Sequence, residues 1–394
     1  MRTNIPGQEG QGSASFFEKK EAKKLPHLSP GETGEAHMCR LGLPVTDIPG
    51  CQTDKKFFAS FFQKRSACLL LLAILLLAAH PVSAQTRLTF GTDWLAEAEH
   101  GGFYQALALG FYKRHGLDVT IRMGGPGTNS EQLVAAGVTD VQLSSGSFGA
   151  LTALSQDIPI VAVAAYFQKD PQVLIAHPGA GNDSLAALKG KPIMISAGAR
   201  SGYWLFLKAR FGFSDTQIRP YNFSMAPFLA DRGAIQQGFV SSEPFQIERQ
   251  SGTKPVVHLL ADSGFANYST VILATRKMVS EKPALVRAFI EASTEGWYSY
   301  LYGDPAPGNA LIRAANRDIS EEVLANAAAV MRQYGIVDSG DSLTKGIGVM
   351  TEARWQAFFD TMVQAGLYKP GLPWRQAFTL EFVGTGHGLD LKPR

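Results

Sequence analysis

Short apolar runs alternate with longer stretches of helical spacing over residues 86–165. The short runs are typical of buried strands, and the longer stretches place apolar residues three or four positions apart, as helices do. Asn129 or Thr128 is expected to cap one helix, and Gly137 to end it. The predicted strands are 88–90, 119–121, 141–143 and 160–165, and the predicted helices are 102–114, 129–136 and 148–156. This β-α-β-α order predicts a mostly parallel sheet covered by helices on both faces.

The same pattern starts again after His177-Pro178. The predicted strands of this second unit are 192–196, 218–221, 239–240 and 256–260, and its predicted helices are 185–189 and 203–211. From Pro283 onward the apolar spacing is helical, and Gly366 is expected to end one of these helices. The fold class is therefore α/β, with two similar units in one chain and joints near residues 174–176 and 271–274.

A short apolar run at residues 67–79 follows Lys64-Arg65 and precedes Val82-Ser83-Ala84. A positive flank, a short apolar core and a small-x-small site are typical of a signal peptide, which we assign to residues 55–84. The run is shorter than the about 20 residues that span a bilayer. Residues 1–54 have no helical or strand period; an upstream stretch translated from a misplaced start codon and a disordered tail are the two interpretations. We expect an exported, periplasmic protein that begins near residue 85.

Cysteine content and charge become informative once the leader is set aside. Cys39, Cys51 and Cys68 all precede the predicted cleavage site, so the predicted mature chain can form no disulfide, zinc–thiolate site or iron–sulfur cluster. The whole chain has a formal charge of +3, but residues 85–394 hold 27 Lys and Arg against 27 Asp and Glu. This balance gives no indication of a nucleic-acid partner or of binding to a charged membrane surface.

Candidate ligand-binding residues are expected directly after each strand, because ligands of open α/β sheets bind beyond the carboxyl ends of the strands. The loop at 92–102 combines three carboxylates, a histidine and a tryptophan. In one interpretation Trp94 supplies a flat ring and Asp93 accepts a hydrogen bond from a ligand amine or ring N–H. A metal site built from Glu97, Glu99 and His100 and a simple capping loop with solvated acids are the alternatives.

Other strand exits carry further candidates. Ser144 and Ser145 precede a predicted helix. In one interpretation their hydroxyl groups and the N–H groups of the helix start bind an anion or a polar ligand; in the other they form an ordinary N-cap. Tyr166 is expected to stack on a ligand ring. In the second unit the candidates are Ser196, Arg200, Tyr203 and Glu243. Arg200 would pair with an acidic ligand group or lie on the surface, and Glu243 would accept from an aminated ring or be a surface acid.

Enzyme motifs are missing from the sequence. It contains no Gly-x-Ser-x-Gly elbow, no His-Glu-x-x-His pair and no complete dinucleotide-binding fingerprint. The glycine-rich stretch at 124–127 lacks the lysine of a phosphate-binding loop, so we interpret it as a turn. We expect no cofactor and no catalytic residues.

One stretch of the chain resembles a known family. Its matching positions are Asp93-Trp94, His100-Gly101-Gly102-Phe103-Tyr104-Gln105-Ala106, Gly110-Phe111-Tyr112 and His115-Gly116-Leu117-Asp118-Val119. These resemble the opening of the periplasmic substrate-binding proteins of ABC importers, in the branch of thiamine-pyrimidine-precursor, riboflavin and alkanesulfonate or nitrate binders. The resemblance implies a two-lobed Venus-flytrap fold with hinge strands and C-terminal helices. Lobe one would comprise 86–175 and 271–394, and lobe two 176–270.

The resemblance also bears on the ligand. In the pyrimidine-precursor binders an aspartate and a tryptophan matching Asp93 and Trp94 contact an aminopyrimidine, and Glu243 is similar to the glutamate that contacts its amine. His100 and Tyr104 belong to the shared motif and complete the expected ligand-binding set. Leu95-Ala96 replaces the Pro-Asn that commonly follows the tryptophan, so this chain departs from the pattern there.

The same branch includes the thiamine-pyrimidine synthases, which are enzymes. Where those are expected to hold a lysine and a histidine, this chain has Ser144 and Phe148, and it lacks their cysteine cluster. We therefore expect a monomeric periplasmic receptor that binds a small heteroaromatic molecule and delivers it to an ABC permease. A sulfonate or nitrate receptor and a synthase-like enzyme are the alternatives.

Overall fold

The computed structural model describes residues 85–200 and 202–393, so the predicted signal peptide and the segment before it lie outside the described residues. The strands form two five-stranded sheets, with orders β2-β1-β3-β10-β4 and β7-β6-β8-β5-β9. The first of these sheets, together with the helices packed on it, is called lobe one, and the second sheet with its helices is called lobe two. The strands are β1 (Thr86–Gly91), β2 (Leu117–Arg122), β3 (Val141–Ser144), β4 (Ile160–Phe167), β5 (Gln172–Ala176), β6 (Ile193–Ile195), β7 (Ile218–Pro220), β8 (Ile235–Phe239), β9 (Val256–Leu259) and β10 (Ser269–Thr275).

The prediction of mostly parallel sheets is wrong for half of each sheet. β1 pairs in parallel with β2 and β3, but β10 lies antiparallel between β3 and β4. In the second sheet β6 pairs in parallel with β7 and β8, while β5 is antiparallel to β8 and β9. The cause is that β10 returns from the other lobe and β5 is the first strand to enter it, so both run against their neighbours. Each lobe is therefore a mixed α/β layer structure.

Fourteen helices of the described residues pack against these sheets. They are α1 (Gly101–Ala108), α2 (Phe111–Arg114), α3 (Ser130–Ala135), α4 (Ser147–Ser155), α5 (Ala197–Arg200), α6 (Tyr203–Phe211), α7 (Ala226–Ala230), α8 (Glu243–Ser251), α9 (Arg276–Glu281), α10 (Pro283–Tyr302), α11 (Ala306–Ala315), α12 (Glu321–Gln333), α13 (Ser342–Lys345) and α14 (Glu352–Gln364). The Asn129 cap of α3 is confirmed, because its side chain accepts from the Gln132 N–H at 3.0 Å. The helix predicted over 102–114 is instead broken at Gly110, whose φ of 70° is left-handed.

Two chain segments connect the lobes, at residues 168–171 and 260–268. They are tied to each other by the Asn267 side chain, which donates to the buried Asp170 carboxylate at 2.6 Å. Burial raises the pKa of Asp170 to about 6. β5 begins at Gln172 and lies wholly in the second sheet, so the first crossing ends just before it.

In the core of lobe one, α1 crosses α10 at close range. Phe103 and Trp297 make an edge-to-face contact with 5.8 Å between ring centroids, and both rings are fully buried. The two helices approach this closely because glycine stands at the crossing. A Cβ on Gly296 would lie 2.1 Å from the backbone oxygen of Gly102.

Replacing Gly296 with alanine is therefore expected to destabilise the protein. The added methyl forces two backbones apart, and overpacking of this kind costs about 1–3 kcal/mol, more than the up to about 1 kcal/mol that alanine gains over glycine in a helix. The urea midpoint measures this loss. Gly371→Ala is the matched control, because its Cβ would meet nothing within 4 Å; equal midpoints for the two variants would contradict the packing argument.

Among the described residues, no helix combines the length and the apolar content that crossing a membrane requires.

Candidate functional site

The loop after β1 is held in place by hydrogen bonds to its own lobe. The Thr92 hydroxyl donates to the Trp94 carbonyl at 2.8 Å and accepts from the Gly124 N–H at 3.0 Å. The buried Gln142 amide on β3 donates to the Thr92 carbonyl at 3.1 Å. These bonds fix the backbone on both sides of Asp93, so the two predicted ligand contacts sit on a rigid support.

Trp94 meets an aromatic residue of lobe two. Its ring lies 4.8 Å from the ring of Phe223, centroid to centroid, at an interplanar angle of 48°. Phe223 is 51% exposed and has a φ of 64°, an unusual conformation for a bulky side chain. Tyr221 continues the row, with its ring centroid 5.3 Å from that of Phe223. An aromatic row therefore crosses from one lobe to the other.

Acidic side chains gather beside these rings. Glu97 and Glu99 flank the start of a 3-10 turn, Ala98–His100, and the Ser241 hydroxyl of lobe two donates to the Glu99 carboxylate. Burial raises the pKa of Glu97 well above its usual range, and the nearby Glu99, Asp93 and Glu243 raise it further. Burial likewise raises the pKa of Glu99. Carboxylates from both lobes thus share one poorly solvated region.

Glu243 is the contribution of lobe two to this acidic group. It stands at the first position of α8, and its carboxylate accepts from the Phe239 N–H at 2.8 Å. Burial raises the pKa of Glu243 to about 7, and Glu99 adds to the rise. The Tyr221 hydroxyl also contacts the Glu243 carboxylate, and burial together with this carboxylate raises the pKa of Tyr221.

Cationic side chains are scarce around the four carboxylates. Within residues 85–200 and 202–393, the basic side chain within 4 Å of these carboxylate oxygens is that of the buried His100, whose Nε2 lies 3.3 Å from Asp93 Oδ1. The other ring nitrogen of His100, Nδ1, has no hydrogen-bond partner among those residues. The arrangement therefore gathers four carboxyl groups, which are rich in hydrogen-bond acceptors, beside one basic side chain of the described residues.

Two more predicted residues lie in lobe two around Gln237. The Ser196 N–H donates to the Gln237 side-chain oxygen at 2.6 Å, and the Tyr203 hydroxyl donates to the same atom at 3.3 Å. Burial raises the pKa of Tyr203, and the charges of Asp170 and Glu243 raise it further. Both residues are buried, and their hydrogen bonds hold the Gln237 side chain of β8 in place near Glu243.

Five predicted residues, Ser144 among them, are not brought to this group. Tyr166 is fully buried in the core, where its hydroxyl donates to the Ile290 carbonyl at 3.0 Å, because β4 continues through it instead of ending before it. Tyr104 is also buried in the core of lobe one, and burial raises its pKa to about 12. Ser145 is exposed, and so is Arg200, which lies near Asp215; the pKa of Asp215 is lowered mainly by its hydrogen bond from Lys208, with a smaller contribution from Arg200.

Ser144 is occupied within its own lobe. Its hydroxyl donates to Glu131 Oε1 at 3.1 Å, so it supports the start of α4 from the neighbouring α3. The metal alternative at Glu97, Glu99 and His100 is not supported, because their ligand atoms do not converge; among the described residues, three convergent ligands occur elsewhere, at His115, Glu295 and His387.

Two residues of the aromatic row, Tyr221 and Phe223, were not predicted from the sequence. They lie in an irregular segment after the short β7 and belong to no motif. The one signal available was that the aromatics of Tyr221-Asn222-Phe223 stand at the end of a predicted strand of the second unit. Ligands of open α/β sheets bind beyond the carboxyl ends of the strands, and we call this the strand-exit rule.

Two α/β lobes of mixed sheet, joined by two crossing segments, define the fold of the periplasmic binding proteins. The alkanesulfonate-binding protein SsuA of Xanthomonas axonopodis pv. citri, solved with MOPS bound, superposes with a TM-score of 0.55 at 15% identity over 76% of this chain and 99% of that one. The aliphatic sulphonate binding protein SsuA of Escherichia coli gives 0.51 at 16% identity over 74% and 91%.

The chain belongs to the NMT1/THI5-like family, whose model matches residues 97–307. A curated relative, the riboflavin-binding protein RibY of Chloroflexus aurantiacus, is 22% identical over 306 residues, which are 76% of this chain and 87% of that protein. The expected resemblance to ABC-importer binding proteins of this branch is thereby confirmed at the level of family and fold.

Proposed function

We propose that this protein is a periplasmic solute receptor that binds an aminated heteroaromatic molecule between its lobes and delivers it to an ABC permease. The observation that carries the proposal is the meeting of Asp93, Glu97 and Glu99 of lobe one with Glu243 of lobe two beside the aromatic row. Such a site favours a ligand that is flat and that carries N–H donors or a positive charge.

Electrostatics supports a donor or cation over an anion. A unit charge about 4 Å from a carboxylate interacts with it by about 4 kcal/mol at the effective dielectric of a protein surface. For a cationic ligand this energy is attractive, and it offsets the burial and the neighbouring carboxylates that raise the pKa values of Glu97 and Glu243. For a sulfonate or nitrate the same carboxylates are repulsive, and such an anion needs several converging donors.

The aromatic row supports a flat ligand. Trp94 and Phe223 come from different lobes and touch at a tilted angle. Their contact can open to admit a ring, and each face of that ring would then gain a stacking partner. Flavins and aminopyrimidines both have this shape, and the Chloroflexus relative is named as a riboflavin-binding protein.

Contacts between the lobes suggest how binding is signalled. Trp94 meets Phe223, Glu99 meets Ser241, and on the rim Glu322 pairs with Arg249 at 3.3 Å. A ligand that touches both lobes only when they close shifts the equilibrium toward the closed form. That closed form is what we propose the permease recognises.

The synthase-like alternative is less well supported. Ser144 donates to Glu131, and Phe148 packs edge-on against Phe358 with 4.8 Å between ring centroids, so neither position offers a nucleophile or a base. A purified enzyme of that kind would show the absorbance of a lysine-bound cofactor, which provides a direct check of this alternative.

Phe223→Ala is expected to weaken binding of a heteroaromatic ligand by roughly tenfold, because loss of one aromatic contact removes about 0.5–1.5 kcal/mol plus the buried ring area. Calorimetric titration measures the change. Leu343→Ala, which removes another exposed apolar side chain, is the control and should leave affinity unchanged. A Phe223→Ala protein that binds as tightly as the wild type would remove Phe223 from the site.

A thermal-shift screen tests the ligand class. Aminopyrimidines, nucleobases, a flavin, an alkanesulfonate and nitrate are each added in phosphate buffer, because common sulfonate buffers are themselves candidate ligands. A ligand at about 100 times its Kd stabilises the native state by roughly 2.7 kcal/mol. We expect a shift with an aminated heteroaromatic compound. A shift with the sulfonate or nitrate alone would keep the receptor and overturn the proposed ligand class.

A further inference from the structure

Three distant parts of the chain meet on the outer side of α10 in lobe one. His115 follows α2, Glu295 lies on α10, and His387 lies in the C-terminal segment. Glu295 Oε1 is 2.8 Å from His115 Nε2 and 3.2 Å from His387 Nε2. Each of the three residues is partly buried, with its side chain between 16% and 33% exposed. Solvent can therefore reach the group, yet the side chains are held.

The three ligand atoms are close enough for one metal ion. They all lie within 4.8 Å of one another. Zinc binds imidazole nitrogen and carboxylate oxygen at about 2.0–2.2 Å, which separates neighbouring ligand atoms of a tetrahedral site by roughly 3.3–3.6 Å. The separations of 2.8 and 3.2 Å between Glu295 Oε1 and the two histidine nitrogens need to widen by less than about 1 Å to reach that value. Two histidines and one glutamate with a fourth position left to water are a ligand set that zinc uses in proteins.

A second carboxylate lies behind one of the histidines. Glu291 precedes Glu295 by one helical turn, and its Oε2 is 3.8 Å from Nδ1 of His115. A carboxylate on the ring nitrogen that does not bind metal orients the imidazole and increases its basicity. At 3.8 Å the Glu291–His115 pair is too long for a hydrogen bond, so Glu291 acts on His115 through its charge.

One nearby cation opposes a metal ion. The Arg114 guanidinium donates to Glu295 Oε2 at 3.1 Å. It occupies the other carboxylate oxygen, so Oε1 remains for the metal. Arg114 is 57% exposed and its repulsion is screened by solvent and salt.

We infer that His115, Glu295 and His387 form a binding site for a divalent transition metal of the zinc class. Imidazole ligands favour such ions over Mg²⁺ and Ca²⁺, which prefer oxygen. The site is separate from the group of carboxylates at Asp93 and Glu243 and does not depend on the proposed ligand. Its metal would tie the C-terminal segment around His387 to α10 and to the end of α2.

The test is a calorimetric titration of the full-length, tag-free protein, stripped with a chelator, with Zn²⁺ and separately with Mg²⁺. We expect one equivalent of Zn²⁺ to bind, no comparable binding of Mg²⁺, and a visible absorption band when Co²⁺ is used as a spectroscopic probe. His387→Gln and His115→Gln should each abolish the one-equivalent binding and the Co²⁺ band. His258→Gln is the control, because that imidazole bonds the Asn182 carbonyl at 2.7 Å elsewhere in the fold, and should retain both.

Glu291→Gln keeps all three ligands and is a milder variant. It should weaken Zn²⁺ binding by about tenfold, the lower end of the loss seen when a carboxylate behind a histidine ligand is removed, because Glu291 acts by its charge alone. This variant decides the matter if a histidine variant fails to fold. No Zn²⁺ binding by the wild type would overturn the inference. Binding that persists unchanged in folded His115→Gln and His387→Gln proteins would also overturn it, because the ion would then be bound elsewhere. If those variants do not fold, unchanged Zn²⁺ binding by Glu291→Gln would overturn it instead.

Discussion

Asp93→Asn and Glu243→Gln are each expected to weaken binding of an aminated heteroaromatic ligand by roughly 10–100-fold. Each change keeps the shape of the side chain but removes the charge that accepts from the ligand. A hydrogen bond to a charged group contributes about 1.5–3 kcal/mol, and each 1.4 kcal/mol is about tenfold in Kd. Calorimetric titration of each variant with the compound that gives the largest thermal shift measures the loss.

Glu381→Gln is the matched control for these two variants. Glu381 is a half-exposed carboxylate of lobe one that lies 3.9 Å from Arg287, and its loss should leave affinity unchanged. If both Asp93→Asn and Glu243→Gln bind as tightly as the control, the site does not use these carboxylates and its assignment is wrong. If only one loses affinity, the ligand amine contacts that lobe alone.

The second large effect is that the ligand-free protein is expected to lose stability as the pH rises from about 5 to 8. The pKa of Glu243 is about 7 in the folded protein, above its ordinary value of 4.5, so the folded state holds a proton that the unfolded state has already lost. Stability falls with pH wherever the folded state binds more protons. At 1.36 kcal/mol per pKa unit, this carboxyl alone accounts for a loss on the order of 3 kcal/mol.

Other buried carboxyls act in the same direction. Burial raises the pKa values of Glu97 and Glu99, and that of Asp170 to about 6 from an ordinary 3.8. Urea unfolding at several pH values measures the slope of stability against pH. Glu243→Gln has no proton to lose and should flatten the slope, whereas Glu381→Gln should keep it. A Glu243→Gln slope equal to that of the wild type would mean that this carboxyl is ionised throughout.

The same proton equilibrium links stability to the proposed ligand. A cation bound beside Glu243 favours the ionised carboxylate, so the stabilisation that the ligand provides should grow as the pH rises through 7. The loss of stability with rising pH should therefore be smaller for the complex than for the free protein.

Local patterns along the chain were sufficient to predict most of the elements. The helix at 203–211 is found as predicted, and the Asn129 cap is present, because short-range spacing and capping determine such features. The antiparallel placement of β5 and β10 could not be predicted. Both strands take their direction from partners far along the chain, and nothing local records which lobe a strand enters.

The strand-exit rule was useful where a strand ended as predicted. Asp93 follows β1 and Glu243 follows β8, and the structure places both in one electrostatically coupled group. The rule failed at Tyr166, because β4 extends through Phe167 and turns that side chain into the core. Phe223 follows a predicted strand, but its contact with Trp94 could not be foreseen, since it depends on a left-handed backbone in an irregular segment.

The central claim is that an aminated ring binds between Trp94 and Phe223 with its donors on Asp93 and Glu243. A crystal structure of the protein with the compound that gives the largest thermal shift tests it most directly. We predict the ring stacked between the two aromatic side chains, with ligand nitrogen atoms about 2.7–3.2 Å from carboxylate oxygens of both lobes. A ligand seated away from these four residues, or an anion held by converging N–H groups, would contradict the claim.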